Sequence, residues 1–212
     1  MLNPATSKSF EERFDAIRSI KPEDIVSDKE QNTLTIMDIK ENAVFTFQGK
    51  TYFVKQVCPY QESSEDFSKK LDYIVTELNC LCLDTGDNVN FEWEYDDELE
   101  VGYTTDRLTF KRFSDENGES VDADDLDQIV DDNDLIMLDN EKFWYEDDWP
   151  ALYICKGKEE DVYMYEFENE NHTKFITIEE WGANKKRQEY QIFLSMPANP
   201  KDITILTRGI AQ

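Results

Sequence analysis

Aromatic and acidic residues alternate along residues 91–96, which read FEWEYD. Successive side chains of a β-strand point to opposite faces, so Phe91, Trp93 and Tyr95 share one face and the acids share the other. The alternation returns at residues 165–168, which read YEFE. A period of two is typical of a strand with one buried and one solvated face, and it predicts antiparallel sheet.

The negative charge of the chain is concentrated in the region that carries this alternation. Residues 84–170 contain 30 Asp and Glu against 6 Lys and Arg, a net charge of −24, and the whole chain has a formal net charge of −26. Disordered acidic tails have few aromatic residues, whereas this chain has 13 Phe, 10 Tyr and 4 Trp that can form a core. The acidity therefore indicates the wet face of a folded sheet.

The same charge argues against several classes of partner. Binding to nucleic-acid phosphates requires clustered Lys and Arg, and the cluster available is the short run at residues 185–187, so direct nucleic-acid binding is not expected. No apolar run approaches the roughly 20 residues of a membrane span, and the N-terminus lacks the apolar core of a signal peptide. We therefore expect no membrane insertion and a cytoplasmic location. In that compartment four cysteines are expected to be reduced thiols, namely Cys58, Cys80, Cys82 and Cys155.

Two helices are predicted at the periphery of the fold. The first covers residues 9–20, where Ser9 and Glu12 match a capping box. Its apolar face consists of Phe10, Phe14 and Ile17. The second is short and acidic, lies near residues 122–131, and has Asp122 as its N-cap. The chain is therefore predicted to be mainly β, at the margin of the α+β class.

Most of the remaining sequence is predicted as strand. The first hairpin covers residues 43–57, where two β-rich runs flank a Gly-containing turn. Residues 58–71 are predicted as a polar connection with one helical turn, and residues 72–84 as a strand despite a partly helical spacing of apolar residues. Further strands are predicted at about 89–95, 98–104, 107–113, 135–139, 142–146, 151–155, 161–168, 173–179, 188–194 and 203–207.

The predicted organisation has four parts. They are an N-terminal helix and lead-in at 1–42, a first β module at 43–113, an acidic connector with a short helix at 114–134, and a second β module at 135–212. Both modules show a hairpin, a connection, a long aromatic strand and two further strands in that order, which suggests an internal repeat. The alternative is that two unrelated β-rich halves align this well. The fold is predicted as antiparallel sheets, with two related β modules as one form of it.

The acids that follow the strand period form the candidate interaction face. Acids on one face of a strand stand about 6.6–6.8 Å apart. Such a face could dock a basic protein partner, could imitate nucleic acid and inhibit a DNA-binding protein, or could be the solvated side of a half-buried sheet. The residues of this face are Glu92, Glu94, Asp96, Glu98, Glu100, Glu166, Glu168 and Glu170.

Residue patterns with catalytic or metal-binding chemistry are sparse. The single histidine, His172, cannot form a catalytic triad or a multi-His metal site by itself, and acids near residues 84–87 and 122–125 match only fragments of a calcium loop. Phosphate-loop, dinucleotide-loop and nucleophile-elbow motifs are absent from the sequence. We therefore predict no catalytic, cofactor-binding or metal residues. The alternative is a carboxylate-based hydrolase or metal-dependent enzyme, because acids are abundant.

Three motifs resemble those of an uncharacterised bacterial domain family of unknown function. They are a hairpin pattern with Gly49, Tyr52 and Val54, the aromatic strand at residues 91–94, and a C-terminal stretch with the patterns Y-x-Y, I-T-I-E and W-G within residues 163–182. The resemblance covers about residues 43–194. It implies a β-rich accessory protein encoded near envelope-stress and polyamine-related genes, with no catalytic residues to transfer. The predicted function is that of a non-enzymatic accessory or interaction protein.

Overall fold

The computed structural model describes residues 4–182 and 188–209, so the basic run at 185–187 lies outside the described residues. The helices are α1 (Pro4–Ser19), α2 (Asp28–Gln31) and α3 (Leu126–Asp132). The strands are β1 (Val44–Phe47), β2 (Lys50–Ser63), β3 (Lys70–Cys82), β4 (Asn88–Tyr95), β5 (Leu99–Leu108), β6 (Phe113–Ser114), β7 (Leu135–Leu138), β8 (Glu141–Cys155), β9 (Lys158–Asn169), β10 (Phe175–Trp181), β11 (Glu189–Pro197) and β12 (Thr204–Thr207). The prediction of a mainly β, antiparallel fold with an N-terminal helix and one short acidic helix is confirmed.

The chain forms two compact units. Unit 1 consists of residues 1–58, 75–101 and 198–212, and unit 2 consists of residues 59–74 and 102–197. The boundaries fall within the long strands β2 and β3 and near the start of β5. The predicted division into modules at 43–113 and 135–212 stays a prediction.

Unit 1 is built around a cluster of aromatic rings. Strand β1 pairs antiparallel with β2 and β12, and β3 pairs with β4, which is followed by β5 in the sheet. The fully buried ring of Phe91 lies 5.0 Å from the ring of Phe45, 5.6 Å from that of Phe47 and 4.9 Å from that of Tyr52, measured between centroids. These edge-on contacts make Phe91 the centre of the core of this unit.

Unit 2 contains the strands in the order β5, β11, β10, β9, β8, β7 and β6, and the end of β2 pairs with β8. Helix α3 covers one face of this sheet, because its apolar residues join the apolar residues of β9 and β10. The shared cluster includes Leu126, Ile129, Phe167, Ile176 and Ile178. This packing explains why the acidic segment before β7 folds as a helix: one apolar stripe of α3 is buried while its acids stay wet.

Two-residue turns join several neighbouring strands. Both turn residues have positive φ at Gln48-Gly49, Asp139-Asn140 and Lys156-Gly157. This is the type I′ geometry, whose twist matches the twist of the flanking strands. The hairpin predicted at 43–57 is confirmed. The β7–β8 hairpin repeats its arrangement of a four-residue strand, a two-residue turn and a long strand, and the predicted repeat remains a prediction.

The predicted connection at 58–71 is largely wrong. Strand β2 continues to Ser63, β3 begins at Lys70, and no helical turn lies between them in the described residues. The end of β2 is extended because it pairs with β8, a long-range contact that local sequence does not encode. For a similar reason the predicted strands 142–146 and 151–155 form the single strand β8, with a register irregularity between Tyr145 and Asp147.

Both predicted helices are present, with one corrected terminus. Helix α1 begins at Pro4, so Ser9 lies inside the helix and the predicted capping box is wrong. Helix α3 follows a 3-10 turn in which the Asp122 side chain accepts a hydrogen bond from the backbone N–H of Asp124, as the predicted N-cap requires.

The cysteines depart in part from the expectation of four thiols. Cys80 and Cys82 are buried free thiols, and burial raises the pKa of Cys80 well above its usual value. Cys58 and Cys155 are disulfide-bonded, so the expectation is wrong for these two residues.

Among residues 4–182 and 188–209, no helix is long and apolar enough to cross a membrane.

Candidate interaction surface

The aromatic face of β4 passes from the core to the solvent along the strand. Phe91 is 0% exposed, Trp93 is half-buried and Tyr95 is 60% exposed. The alternation predicted a buried position for all three rings, and this is wrong for Tyr95. The strand ends at Tyr95, where it leaves the aromatic core for the turn to β5. An exposed aromatic ring therefore stands directly beside the acids of the turn.

The turn between β4 and β5 is entirely acidic. It consists of Asp96, Asp97 and Glu98, and all three residues are exposed. No ion pair involves them within the described part of the chain. Glu100, the second residue of β5, is also exposed. We call Tyr95, Asp96, Asp97, Glu98 and Glu100 the hairpin tip.

The acids further along β4 have a different environment. Glu92 and Glu94 are only partly exposed, and Glu92 lies directly opposite Glu77 of β3 in the strand register. Glu77 is buried, and its two carboxylate oxygens accept hydrogen bonds from Asn79 at 2.7 Å and from Asn90 at 2.6 Å. Amide donors satisfy the buried charge, which would otherwise be costly.

Sequence reasoning missed this buried carboxylate. Glu77 lies within a run of strand-forming residues, between Thr76 and Leu78, and a charge in such a run was the available signal. Its amide partner on β4 is 13 residues away and could not be assigned without the strand register.

The remaining predicted acids lie in unit 2, so the predicted eight-residue face is divided between the two units. Glu166 accepts a hydrogen bond from the indole Nε1 of the buried Trp149 at 3.0 Å. Glu168 contacts His172 and has a side chain only 12% exposed, whereas Glu170 is exposed in the turn after β9. Two of these three acids therefore act within the fold.

The contact between Glu168 and His172 supports a prediction about pH. The His172 Nδ1 lies 2.5 Å from Glu168 Oε2, and this hydrogen bond, with the carboxylate charge, raises the pKa of His172 above 6.5. A raised pKa means that the protonated form is favoured in the folded state. Its contribution to stability is therefore present below pH 6.5 and is lost as the pH rises through the raised pKa.

Because the chain has a single histidine, a proton NMR titration of the imidazole Hε1 reports this group alone. We expect a midpoint above 6.5 in the native protein and a lower midpoint in Glu168→Gln, which removes the charged acceptor. Glu170→Gln, an exposed neighbour, serves as the control. Equal midpoints in the native protein and Glu168→Gln would contradict the assignment.

Strand β10 carries two consecutive buried carboxylates. Glu179 is 1% exposed and Glu180 is 7% exposed, and because they are adjacent in a strand they point to opposite faces. Glu179 accepts hydrogen bonds from the Tyr60 hydroxyl at 2.6 Å and from the Trp181 indole N–H at 2.8 Å. The Tyr153 ring lies 4.8 Å from the Tyr60 ring and 5.1 Å from the Trp181 ring. The Glu179 carboxylate is thus held within an aromatic cluster.

On the α3 side of the sheet, tyrosines surround the second carboxylate. Glu180 accepts hydrogen bonds from the Tyr165 hydroxyl at 3.1 Å and from Gln188 at 2.5 Å. Burial, followed by the charge of Glu180, raises the pKa of Tyr165 well above its usual range and that of Tyr190 to about 12. These phenols are therefore neutral hydrogen-bond donors near neutral pH.

Asp148 on β8 is arranged in the same way. The hydroxyl groups of Tyr145 and Tyr163 both donate hydrogen bonds to its carboxylate. Burial, and then the hydrogen bond to Asp148, raises the pKa of both phenols above the usual range. The sequence signal for this cluster was weak, because Tyr145, Asp148 and Tyr163 lie on two strands whose register the sequence does not specify.

The buried carboxylates and the exposed acids of the hairpin tip can do different chemistry. The buried carboxylates Glu77, Glu179 and Glu180 are bonded to amide, hydroxyl and indole donors, which fits a structural role. Within residues 4–182 and 188–209, no group of three or more His, Cys, Asp and Glu is placed to hold a metal ion. The hairpin tip combines exposed negative charge with an exposed aromatic ring, and such a surface can attract and contact cations.

Comparison with known families agrees with the motif resemblance. Residues 40–200 match the family model described as "Domain of unknown function (DUF4178)". This range covers well over half of the 212 residues and includes β4, β5 and β10. No match to a curated protein or to a solved structure is significant.

Proposed function

Because the chain belongs to the family described as Domain of unknown function (DUF4178), which specifies no activity, we propose a function from the surface itself. The protein is a non-enzymatic binding module, and its hairpin tip docks a basic segment of a partner protein. The observation that carries this proposal is the exposed Tyr95, 60% accessible, directly preceding the exposed acids Asp96, Asp97 and Glu98.

The chemistry of the tip favours an arginine-rich or lysine-rich segment. The face of a tyrosine ring attracts a guanidinium or ammonium group, and such contacts contribute about 0.5–1 kcal/mol at exposed sites. The neighbouring carboxylates can accept charge-assisted hydrogen bonds from the same groups. The net charge of −26 adds long-range attraction that accelerates encounter with a basic partner.

The environments of Glu92, Glu166 and Glu168 make these three acids less suited to docking than the acids of the tip. Glu166 and Glu168 have internal partners in Trp149 and His172, and Glu92 lies beside the buried Glu77. An acid that already holds a structural contact loses that contact when it binds a partner, so it contributes less to docking. The exposed acids Asp96, Asp97 and Glu98 form no ion pair in the described part of the chain, so they do not carry this cost.

The proposal is tested with a fluorescein-labelled octa-arginine peptide and fluorescence anisotropy at low ionic strength. The triple variant Asp96→Asn, Asp97→Asn, Glu98→Gln removes three exposed charges, and we expect binding about tenfold weaker than that of the native protein. Binding of both proteins should weaken as salt is added, because the interaction is screened.

A control variant with the same charge change separates the tip from bulk acidity. Glu11→Gln, Asp15→Asn, Glu23→Gln also removes three exposed acidic charges from unit 1. We expect it to change binding by less than about twofold. If both triple variants weaken binding equally, the peptide senses only the net charge and the hairpin tip is not the docking surface.

A further inference from the structure

Helix α1 exposes its apolar face instead of burying it. Phe10 is 55% exposed, Phe14 is 48% exposed and Ile17 is 53% exposed. The rings of Phe10 and Phe14 are stacked with centroids 6.2 Å apart, and the Arg18 guanidinium lies 5.4 Å from the centre of the Phe14 ring. A contiguous row of large apolar side chains is thus open to the solvent along this helix.

A neighbouring side of α1 attaches the helix to unit 1. Ala16 is buried in a cluster with Val44, Phe53 and Leu81. The Arg13 guanidinium donates hydrogen bonds to the backbone carbonyl groups of Leu83 at 3.4 Å and Asp84 at 3.3 Å. The helix is therefore held with its apolar row directed outward, and the exposure is a consequence of how α1 is anchored.

The spacing of the row matches a helix–helix seam. Phe10, Phe14 and Ile17 are separated by four and then three residues, the alternation of the a and d positions of a coiled coil. In this register Glu11 and Arg18 occupy equivalent flanking positions, and both are exposed. A second helix with the same pattern can cover the row.

The distribution of charge indicates which molecule can approach this face. Residues 4–21 contain four basic and three acidic residues, a net charge of +1, although the whole chain carries −26. Two copies of so acidic a chain repel each other, and the repulsion is smallest where the surface is not negative. The α1 face combines that low repulsion with exposed apolar area, so it is the face at which a second copy of this chain can associate with the least electrostatic cost.

We propose that two copies of the chain associate through α1, with the two helices antiparallel and the rows of Phe10, Phe14 and Ile17 packed against each other. In the antiparallel arrangement Glu11 of one copy lies beside Arg18 of the other, which is an attractive pair. In a parallel arrangement Glu11 of one copy and Arg18 of the other are about two helical turns apart, so this pair is not formed. The flanking charges thus select the antiparallel form.

The exposed area sets the strength of this association. A half-exposed Phe leaves about 100 Å² accessible, so the row supplies roughly 300 Å² per copy. Stable interfaces bury about 800 Å² per partner, and the dimer is therefore weak, with dissociation in the micromolar range or above. Added salt strengthens it by screening the repulsion between copies, whereas added salt weakens docking of a basic segment at the hairpin tip.

The experiment is sedimentation equilibrium of the full chain from about 1 µM to 1 mM protein, at low and high salt. We expect a monomer–dimer equilibrium that shifts toward dimer at high salt. Phe10→Ala, Phe14→Ala should weaken dimerisation at least about tenfold, since it removes most of the apolar area. The matched control Leu71→Ala, Ile74→Ala alters two residues that are 43% and 42% exposed, and it should leave dimerisation unchanged. Far-UV circular dichroism of each variant verifies folding.

A charge exchange tests the orientation. Glu11→Arg alone and Arg18→Glu alone should each weaken the dimer, and the combined exchange should restore it, because the antiparallel pair is re-formed with reversed signs. A native protein that stays monomeric at every concentration and salt level overturns the proposal, as does a dimer that survives the loss of both Phe rings. A monomer that cosediments with phosphatidylcholine vesicles through Phe10 and Phe14 also overturns it, by assigning the face to a lipid surface.

Discussion

Phe91→Ala should lower the free energy of unfolding by about 3–5 kcal/mol, the range found for large-to-small changes of buried aromatic residues. The Phe91 side chain is 0% exposed and packs against the rings of Phe45, Phe47 and Tyr52. Alanine would leave a cavity among three large rings that cannot fill it without leaving their rotamers. Urea unfolding followed by tryptophan fluorescence and far-UV circular dichroism measures the change.

Tyr95→Ala is the matched control. Tyr95 lies on the same face of β4 as Phe91, but it is 60% exposed. We expect a change in unfolding free energy within about 0.5 kcal/mol, as for most surface substitutions. Comparable losses in the two variants would show that the aromatic gradient along β4 does not reflect burial. The comparison therefore tests whether the burial of each ring along β4 determines its contribution to stability.

Tyr60→Phe should lower the free energy of unfolding by about 1.5–3 kcal/mol, the contribution typical of a hydrogen bond to a buried charged group. The Tyr60 hydroxyl is 2.6 Å from Glu179 Oε1, and both side chains are nearly inaccessible, with exposures of 2% and 1%. Removing the hydroxyl takes one donor from a carboxylate that cannot regain it from bulk water. Tyr95→Phe, which removes an exposed hydroxyl, should have almost no effect.

A double-mutant cycle isolates this contact from the rest of the aromatic cluster. The single variants Tyr60→Phe and Glu179→Leu and the double variant are compared by urea unfolding, and we expect a coupling energy of about 1.5–3 kcal/mol. Strictly additive losses would mean that the hydroxyl and the carboxylate do not stabilise each other. In that case the cost of Tyr60→Phe would come from packing.

The fold class followed from local pattern. The alternation at residues 91–96 predicted strand, and these residues belong to β4 and the turn after it. The hairpin at 43–57 and the acidic helix near 122–131 were predicted in the same way and are present. These signals are reliable because strand alternation, turn residues and helix caps act over a few residues, a distance that the sequence encodes directly.

The burial of Glu179 and Glu180 could not be predicted, because the local sequence of a Glu in a strand is the same whether its face is solvated or covered. In the sequence, Glu179 and Glu180 are strand residues of the same type as Glu92 and Glu94, and nothing local separates the two pairs. What distinguishes them is the supply of donors from distant positions, such as Tyr60, which is 119 residues from Glu179. Burial of a charge depends on such partners, and strand pairing alone brings them together.

The sequence likewise predicted the apolar face of α1 but not whether that face is buried or exposed. The 3.6-residue period predicted that Phe10, Phe14 and Ile17 share one side of a helix. The direction of that side depends on Arg13 and Ala16, which attach α1 to β3 and the residues after it. An amphipathic helix usually buries its apolar face against the protein. The exposure of this row therefore depends on the tertiary contacts that hold α1, and the local sequence does not specify them.

The sequence by itself determined that the chain is an acidic, aromatic-rich, antiparallel β protein, since alternation and composition are local properties. Only the tertiary structure decided which acids are buried in polar networks, which stand exposed beside Tyr95, and which way the apolar row of α1 points. The physical reason is that solvent exposure belongs to the packing of residues far apart in the chain. A strand face or a helix face acquires its role from the element that covers it.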